Sequence, residues 1–420
     1  MPEEAPTFID LFAGCGGISL GLSQAGWKGV FAVEKDQDAF ATLSHNLIKG
    51  CKRVFQWPAW LEQDAISVQT LHKQHRKELQ GLRGKIDVLA GGPPCQGFST
   101  FGRRDAADPR NQLFRTYIDV VKAVRPKMVL IENVRGIQFR FKTSAATKGN
   151  KTGGVIYAEK IMASLDGAGY HAIKLQVSAE DFCVPQVRPR VIIFGFCKKL
   201  WKKERLPDIE RQLEEVKKDF FQLLDLKSGR VSVADAISDL QRKRIKVEPC
   251  PEMPRFEQGR HAKPQTAYQR LMHSNLNGAL ADSHRFARHG KETTAAFNYY
   301  LASCPKGKKL EPSERGRFAN KKHTIYVLDP KKSAPTVTTL PDDMVHFSEP
   351  RILTVREMAR LQSFPDWFEF KGKYTTGGAR RTKECPRYTQ VGNAVPPLLS
   401  RALGLALASC LPVYRAVVSQ

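Results

Sequence analysis

The sequence predicts an α/β protein that combines an open, nucleotide-binding sheet with a second, irregular part. Three observations support this fold class. An apolar run at residues 7–12 is followed by a glycine-rich turn and then by a helix-forming pattern. Further apolar runs at 29–33, 86–90 and 127–131 have the length of buried strands, and an acidic residue or glycine follows each. From residue 198 to about residue 350 this periodicity weakens and the charge rises.

The first strand and helix have the pattern of a nucleotide-binding βα unit. The glycines at 14, 16 and 17 allow a backbone to approach a ligand, and the helix N-terminus supplies free N–H groups. The second strand ends in Glu34, which follows Gly14 by 20 residues, where such folds place an acid on ribose hydroxyls. Asp64 is predicted to end a third strand, where its carboxylate would bind an adenine amino group.

The run Gly-Gly-Pro-Pro-Cys-Gln-Gly-Phe-Ser at residues 91–99 follows the strand predicted at 86–90. Its glycines and prolines end the strand and place Cys95 on a stiff turn at the strand's carboxyl end, where open α/β sheets bind ligands. A single cysteine is more often a small buried hydrophobe. Because this run is poor core material, it favours a thiol that reacts as a nucleophile.

Two further groups of polar residues adjoin predicted strands. The apolar strand 127–131 delivers Glu132, a residue that is costly to bury unless it is paired or protonated. Gln186, Arg188 and Arg190 alternate before a strand at 191–195, so an extended backbone would present them on one face. An apolar helix at 396–411 is predicted to return and pack on the first part of the chain.

The amino-acid composition limits the classes of partner, the location and the bonds to be expected of this protein. Lys and Arg total 67 against 42 Asp and Glu, a net charge of +25 that favours nucleic acid over an acidic membrane. No run of about 18 apolar residues is present, and the N-terminus lacks a basic and apolar signal, so we expect a cytoplasmic protein. The nine cysteines contain no C-x-x-C pair, so we expect neither disulfides nor a metal site.

These motifs, in this order, resemble those of the cytosine-5 DNA methyltransferases of bacterial restriction-modification systems. The matching segments are residues 8–17, 91–99, 132–134, 186–190, 356–366 and 390–397. The resemblance implies a Rossmann-like, S-adenosylmethionine-dependent methyltransferase sheet at 1–197, completed by 390–420, and a smaller, irregular target-recognition domain at 198–389. The sequence departs from the family at Ser363, where glycine is frequent.

The resemblance also implies residue roles. Cys95 would add to carbon 6 of cytosine, Glu132 would bind or protonate ring nitrogen 3, and Arg188 or Arg190 would stabilise the thiolate, with Arg190 favoured for the cytosine carbonyl. The residues expected to bind S-adenosylmethionine are Asp10, Phe12, Ala13, Gly14, Gly16, Gly17, Glu34, Asp64, Pro93, Leu113, Asn393 and Val395. Those expected to contact DNA are Ser99, Arg103, Arg110, Gln186, Arg380 and Arg381, and Tyr268 and His273 are among several candidates for reading bases.

A methyltransferase of this kind would act as a monomer on double-stranded DNA with a flipped-out cytosine, at the nucleoid, with a cognate restriction endonuclease as functional partner. Three alternatives remain open. A transfer-RNA cytosine methyltransferase would carry a Cys-Phe-Thr signature after Pro-Pro-Cys-Gln, which this chain lacks. A silent DNA-binding paralogue would have lost the cysteine, the glutamate or the glycines. A nicotinamide oxidoreductase is supported by the glycine turn alone.

Overall fold

The computed structural model describes residues 5–50, 52–94, 111–141, 155–226, 229–318, 324–376, 380 and 384–411. The strands are β1 (Thr7–Leu11), β2 (Lys28–Val33), β3 (Val88–Gly91), β4 (Met128–Val134), β5 (Arg140–Phe141), β6 (Val155–Ile156), β7 (Tyr170–Ser178), β8 (Pro189–Cys197), β9 (Val247–Cys250), β10 (Met253–Arg260), β11 (Leu280–Arg285), β12 (Tyr326–Val327) and β13 (Met344–Val345).

The α-helices are α1 (Gly17–Gln24), α2 (Gln37–Leu43), α3 (Val68–Gln74), α4 (Arg76–Gly81), α5 (Asn111–Val124), α6 (Tyr157–Gly167), α7 (Ile209–Leu223), α8 (Val233–Ile237), α9 (Ala267–Met272), α10 (Lys291–Ser303), α11 (Val355–Leu361), α12 (Arg387–Asn393) and α13 (Pro397–Ala408). A π-helical turn spans Ser44–Ile48. Short 3-10 turns span Arg135–Gln138, Ala179–Phe182, Lys203–Arg205, Ser238–Leu240, Arg242–Arg244, Pro312–Phe318 and Pro341–Asp343.

The central element is a six-stranded mixed sheet in the order β2-β1-β3-β4-β8-β7. The first four strands are parallel, and β8 and β7 are antiparallel additions at one side. This sheet confirms the predicted Rossmann-like α/β class and the strands predicted from apolar runs. Leu11 pairs with Gly91, and Gly91 pairs with Ile131, so β1 and β3 end level with Ile131, while β4 continues to Val134 at the same edge. The residues that follow β1 and β3 therefore meet the last three residues of β4.

The prediction of a third strand ending at Asp64 is wrong. Within residues 52–67, Phe55 forms an isolated bridge to Gly29, and the rest of this interval consists of turns and irregular backbone. Pro58 has no N–H to donate to a ladder, and the polar run at 62–64 lacks alternating apolar residues. Asp64 is consequently exposed on a loop.

Two hydrophobic layers cover the sheet because alternate strand residues point to opposite faces. On one face, Phe8 and Leu130 pack in a cluster that includes Leu399 of α13. On the other face, Ile9 and Ile131 pack in a cluster that includes residues of α5 and α6. The helix predicted at 396–411 does return, and α13 packs directly against α1.

The stretch Arg387–Ala408 is long and apolar enough to cross a membrane by length and composition. Of its most apolar window, however, 78% is buried inside the protein. The stretch is also divided into α12 and α13 by a break at residues 394–396. These features are those of helices in a protein core.

The region between 198 and 389 contains a small antiparallel sheet in the order β11-β10-β9. A separate hydrophobic cluster there includes Phe297, Tyr300 and Val327. The first long helix of this region, α7, instead packs against α13, and its Phe220 ring lies 6.2 Å from the ring of Phe182. The domain limits at 197 and 390 stay a prediction.

Candidate active site

The polar centre of the sheet edge is an ion pair between neighbouring antiparallel strands. Glu132 lies on β4 and Arg190 on β8, where Val134 pairs with Arg190. The Nε atom of Arg190 is 2.6 Å from Oε1 of Glu132, and their side chains are only 8% and 12% exposed. Burial lowers the pKa of Arg190, and the Glu132 carboxylate opposes this effect. The ion pair holds the Glu132 carboxylate in a fixed position at the edge of the sheet.

The backbone that leads to Cys95 is held against this ion pair. A Cβ atom at Gly92 would lie 3.3 Å from Oε2 of Glu132, so the turn passes immediately beside the carboxylate. The Nδ2 atom of Asn133 also donates to the Pro93 carbonyl at 3.3 Å. Cys95 itself lies outside the described residues. Described residues up to 94 therefore bring the predicted nucleophile segment to Glu132.

The glycine turn after β1 forms the neighbouring part of the edge. Gly14 and Gly16 have φ angles of +57° and +99°, which favour glycine. The Gly14 N–H donates to Oε2 of Glu34 at 2.9 Å, so this carboxylate braces the turn. A Cβ atom at Gly14 would have no atom within 4 Å, so open space lies beside this backbone. A ligand has room to approach here.

Two acidic side chains, Asp10 and Glu34, lie beside the glycine turn. Asp10 is fully buried, and its Oδ2 atom accepts a hydrogen bond of 2.6 Å from Ser19. Burial raises the pKa of Asp10 from 3.8 to about 7, and the nearby charge of Glu34 adds to this effect. Burial also raises the pKa of Glu34, against hydrogen bonds from the Asp36 and Gly14 backbone. The hydrogen bond between Asp10 and Ser19 therefore joins β1 to α1, the two elements that the glycine turn connects.

The last residue of α12 and the residues just after it form the wall opposite the glycine turn. Asn393 is exposed, whereas Val395 is buried at 8% exposure. A Cβ atom at Gly17 would lie 2.2 Å from the Val395 carbonyl oxygen, so only glycine permits this approach. The structure thus brings the first and last predicted cofactor segments together, although they are far apart in the sequence.

Arg188 has a different position from the one expected of a catalytic residue. Its guanidinium is buried and donates to the carbonyl oxygens of Val337, Gly392 and Ala394 at 3.0, 2.8 and 3.0 Å. Burial lowers its pKa strongly, and the charge of Arg190 acts in the same direction. We therefore correct its predicted catalytic role, because these contacts use Arg188 to hold the Asn393 wall in place.

Gln186 also faces the interior, and its predicted DNA contact is wrong for this structure. Its Nε2 atom donates to Leu361 O and to Gln362 Oε1 at 3.1 and 2.9 Å. Its Oε1 atom accepts from Arg188 and from the Val337 N–H. A fully buried amide with both ends occupied cannot reach a DNA groove.

The other predicted cofactor residues occupy several positions around the edge. Phe12 and Ala13 belong to the glycine turn, where Ala13 N–H donates to Val33 O at 2.9 Å. Leu113 is partly buried in the first turn of α5. Asp64 lines an adjacent cleft of about 440 Å³, and the Ile66 N–H donates to Glu34 O, which holds the Asp64 loop beside the end of β2.

Most of the predicted DNA contacts fall outside the part of the chain that the structure describes. This applies to Ser99, Arg103, Arg110 and Arg381, whereas Arg380 is described and exposed. Among the candidates for reading bases, Tyr268 is wrong, because it is 2% exposed and its hydroxyl donates to Arg360 O. The His273 side chain is likewise only 4% exposed.

Sequence reasoning missed two residues that organise the site. Asn133 was part of a matching motif, and the signal for its role was an amide placed directly after Glu132 in an apolar strand. Gln362 donates to Val391 O at 2.6 Å and also accepts from Gln186, so it joins two of the motifs. Nothing in the sequence pattern indicated this contact, because its acceptor is a backbone carbonyl.

The departure from the family at Ser363 has a structural basis. Its φ angle is +62°, in the left-handed region that favours glycine. Its Oγ atom accepts a hydrogen bond of 3.1 Å from the Leu398 N–H in the first turn of α13. The hydrogen bond from Leu398 at the start of α13 thus offsets the backbone strain that a serine has at this φ angle.

Comparison with known proteins yields one family. The family model described as C-5 cytosine-specific DNA methylase matches residues 6–409. The Type II methyltransferase M.DdeI of Desulfomicrobium norvegicum is 32% identical over 415 residues, which cover 94% of this chain and 86% of that protein. The Type II methyltransferase M.AgeI of Thalassovita gelatinovora is 29% identical, with 94% and 97% covered.

The fold has a counterpart among solved structures. A crystal structure described as a DNA modification methyltransferase encoded within an E. coli prophage superposes with a TM-score of 0.66. It is 24% identical and covers 97% of this chain and 99% of its own. At this identity the likeness concerns the fold.

Proposed function

Since this chain belongs to the family of C-5 cytosine-specific DNA methylases and is a DNA cytosine-5-methyltransferase, we propose that it methylates one cytosine of a specific double-stranded sequence through a covalent Cys95 adduct. The observation that carries this proposal is the Glu132–Arg190 ion pair at 2.6 Å, with the backbone leading to Cys95 beside it. This arrangement combines a fixed carboxylate with an adjacent nucleophile segment.

The family uses S-adenosylmethionine as its methyl donor. Three features fit this group: the open space beside Gly14, the Glu34 carboxylate at the end of β2, and the exposed Asn393 on the facing wall. Glu34 keeps lone pairs for a ribose hydroxyl, since a carboxylate offers about four acceptor sites. When bound, S-adenosylmethionine supplies an electrophilic methyl group. The residues of the chain perform the remaining steps.

In the proposed reaction the Cys95 thiolate adds to carbon 6 of cytosine, and the electron pair of the 5,6 double bond moves toward nitrogen 3. Glu132, in its protonated form, donates its proton to nitrogen 3 and thereby neutralises this charge, while its other oxygen keeps the contact with Arg190. Carbon 5 becomes an enamine carbon, which would take the methyl group and leave the donor's sulfur as a neutral thioether. Water then takes the carbon 5 proton, the released electron pair re-forms the 5,6 double bond and expels the thiolate, and nitrogen 3 returns its proton to Glu132. Arg190 orients Glu132 and contacts the cytosine carbonyl.

This chemistry requires the cytosine to leave the duplex stack, which costs a few kcal/mol. The net charge of +25 favours phosphate contacts that offset this cost. We assign sequence recognition to residues 198–389 and phosphate contacts to the 98–110 segment and Arg380. Replacing Arg380 by Ala should lower the salt dependence of DNA binding by about one counterion, whereas replacing Arg211 on α7 should leave it unchanged.

The Type II relatives support a proposal for the biological setting. We propose that the enzyme acts as a monomer at the nucleoid in the cytoplasm and protects the sites of a cognate restriction endonuclease. A plasmid isolated from expressing cells should then resist that endonuclease.

Bisulfite sequencing of a plasmid tests the proposed function. Cells expressing the chain should yield cytosines protected in one short sequence context, and cells expressing a Cys95→Ala variant should yield none. Full conversion in both samples, with soluble protein that binds S-adenosylmethionine, would contradict DNA methylation. Methyl transfer to RNA in place of DNA would instead support the transfer-RNA alternative.

A further inference from the structure

A second polar cluster lies in the 198–389 region, outside the site described above. It consists of His261, His273 and Asp366, whose ligand atoms all lie within 4.8 Å of one another. The three side chains are 2%, 4% and 0% exposed. The methylation chemistry uses none of them.

The two distances from the histidines to Asp366 are close to those between ligand atoms of a tetrahedral metal ion. Nδ1 of His261 and Nδ1 of His273 lie 3.6 and 3.4 Å from the same oxygen, Oδ2 of Asp366. Metal–ligand bonds of roughly 2.0–2.1 Å in tetrahedral geometry place ligand atoms about 3.3–3.4 Å apart. The imidazole rings are 5.4 Å apart and inclined by 76°, so they do not stack on each other.

The cluster also contains a buried atom that lacks a partner. Among the described residues, Nδ1 of His261 has no hydrogen-bond partner although it is buried. A buried polar nitrogen without a partner costs free energy, and this one lies 3.6 Å from the oxygen that would share the ion.

The surroundings of Asp366 suit a metal ligand. Arg360 donates to both oxygens of Asp366, at 2.5 and 2.6 Å, and also to Asp239 at 3.1 Å. Hydrogen bonds of this type, made to a ligand by residues behind it, orient ligating carboxylates. Oδ2 of Asp366 accepts from Arg360 at 2.6 Å and lies 3.4 Å from Nδ1 of His273, so a bound ion would replace the His273 hydrogen bond.

We propose that His261, His273 and Asp366 bind one divalent transition-metal ion, Zn²⁺ in the first instance, with water as the fourth ligand. The three ligands follow β10, α9 and α11, respectively, so the ion joins three elements of the small region. The prediction that the chain has no metal site considered paired cysteines, whereas these ligands are dispersed in the sequence and become neighbours only through folding. The role of the ion is structural.

Elemental analysis of the full-length protein, purified without chelators, tests the proposal. We expect about one zinc per chain, bound at a dispersed His₂Asp site. Cobalt should replace zinc and produce the visible absorption of a four-coordinate ion. His261→Gln and His273→Gln should each abolish this absorption, while His45→Gln, which alters an exposed histidine, should retain it.

X-ray absorption of the zinc-loaded, unchanged protein is independent of variant folding. It should show nitrogen and oxygen ligands near 2.0 Å with two imidazoles and no sulfur. The proposal is overturned if sulfur ligands appear, if both histidine variants keep the metal, or if the protein contains no metal and cobalt addition yields no four-coordinate absorption.

Discussion

Arg190 and Glu132 form a 2.6 Å ion pair across β8 and β4, at the point where the parallel strands of the sheet end. This contact fixes a carboxylate beside Gly92, whose backbone leads directly to the Pro-Pro-Cys turn. A carboxyl group held in this way can donate a proton to a ring nitrogen without having to reorganise, which is the main requirement of the proposed chemistry.

Glu132→Gln should reduce the rate of methyl transfer by about 10²–10⁴-fold, because an amide keeps the shape of the side chain but cannot supply a proton. Binding of S-adenosylmethionine should change little. Single-turnover transfer of a labelled methyl group measures the rate. Glu180→Gln is the matched control, since Glu180 also pairs with an arginine, Arg230, at 3.2 Å. Equal rates for both variants would remove Glu132 from the mechanism.

Arg188→Lys should destabilise the protein by about 2–4 kcal/mol and weaken S-adenosylmethionine binding. Lysine retains the charge but cannot bridge carbonyl groups of Val337, Gly392 and Ala394 as a planar guanidinium does. Urea unfolding and calorimetric titration measure the two effects. Arg211→Lys, at an exposed pair with Glu215, should leave both unchanged. Unaltered values for Arg188→Lys would argue against its clamping role.

Gly17→Ala should disturb the wall that contains Val395. The added methyl group would lie 2.2 Å from the Val395 carbonyl oxygen, an overlap that costs about 1–3 kcal/mol when the surroundings shift. The dissociation constant for S-adenosylmethionine should rise accordingly. Gly167→Ala offers a control at the end of α6, because a Cβ there has no neighbour within 4 Å. If the two variants bind S-adenosylmethionine equally well, Val395 does not shape its site.

Asp10 should make stability depend on pH. Burial raises its pKa from 3.8 to about 7, so the folded protein retains a proton that the unfolded chain releases. This contribution is complete below pH 3.8 and is lost as the pH rises toward 7. Between about pH 5 and 7 the free energy of unfolding should therefore fall by roughly 2 kcal/mol more in the unchanged protein than in Asp10→Asn. Parallel urea-unfolding profiles for the two proteins would show that Asp10 is ionised throughout.

The strands of the sheet were predictable because short apolar runs bounded by glycine or acid are typical of buried parallel strands. The same reasoning placed Glu132 and Glu34 at the edge. Asp64 was misplaced because apolar residues around Pro58 resemble a strand in composition, although proline cannot complete its ladder.

The interior contacts were not predictable. Alternation correctly put Gln186 and Arg188 on one face, but alternation does not show whether a face meets solvent or protein. Their partners are largely backbone carbonyls and N–H groups, such as Val337 and Gly392, and backbone groups leave no signature in a sequence. The cluster of His261, His273 and Asp366 was not predictable for another reason: these side chains are far apart in the sequence and meet only in the folded chain.

The most direct test of the central claim is to trap the proposed adduct. A duplex with 5-fluorocytosine at the cytosine identified by bisulfite sequencing cannot lose a proton from carbon 5, so methyl transfer should leave the enzyme attached. We predict a complex that survives denaturation, has the mass of protein plus DNA plus one methyl group, and yields a DNA-linked peptide containing Cys95. Attachment through another cysteine, or the absence of any complex while the ordinary duplex is methylated, would contradict the account.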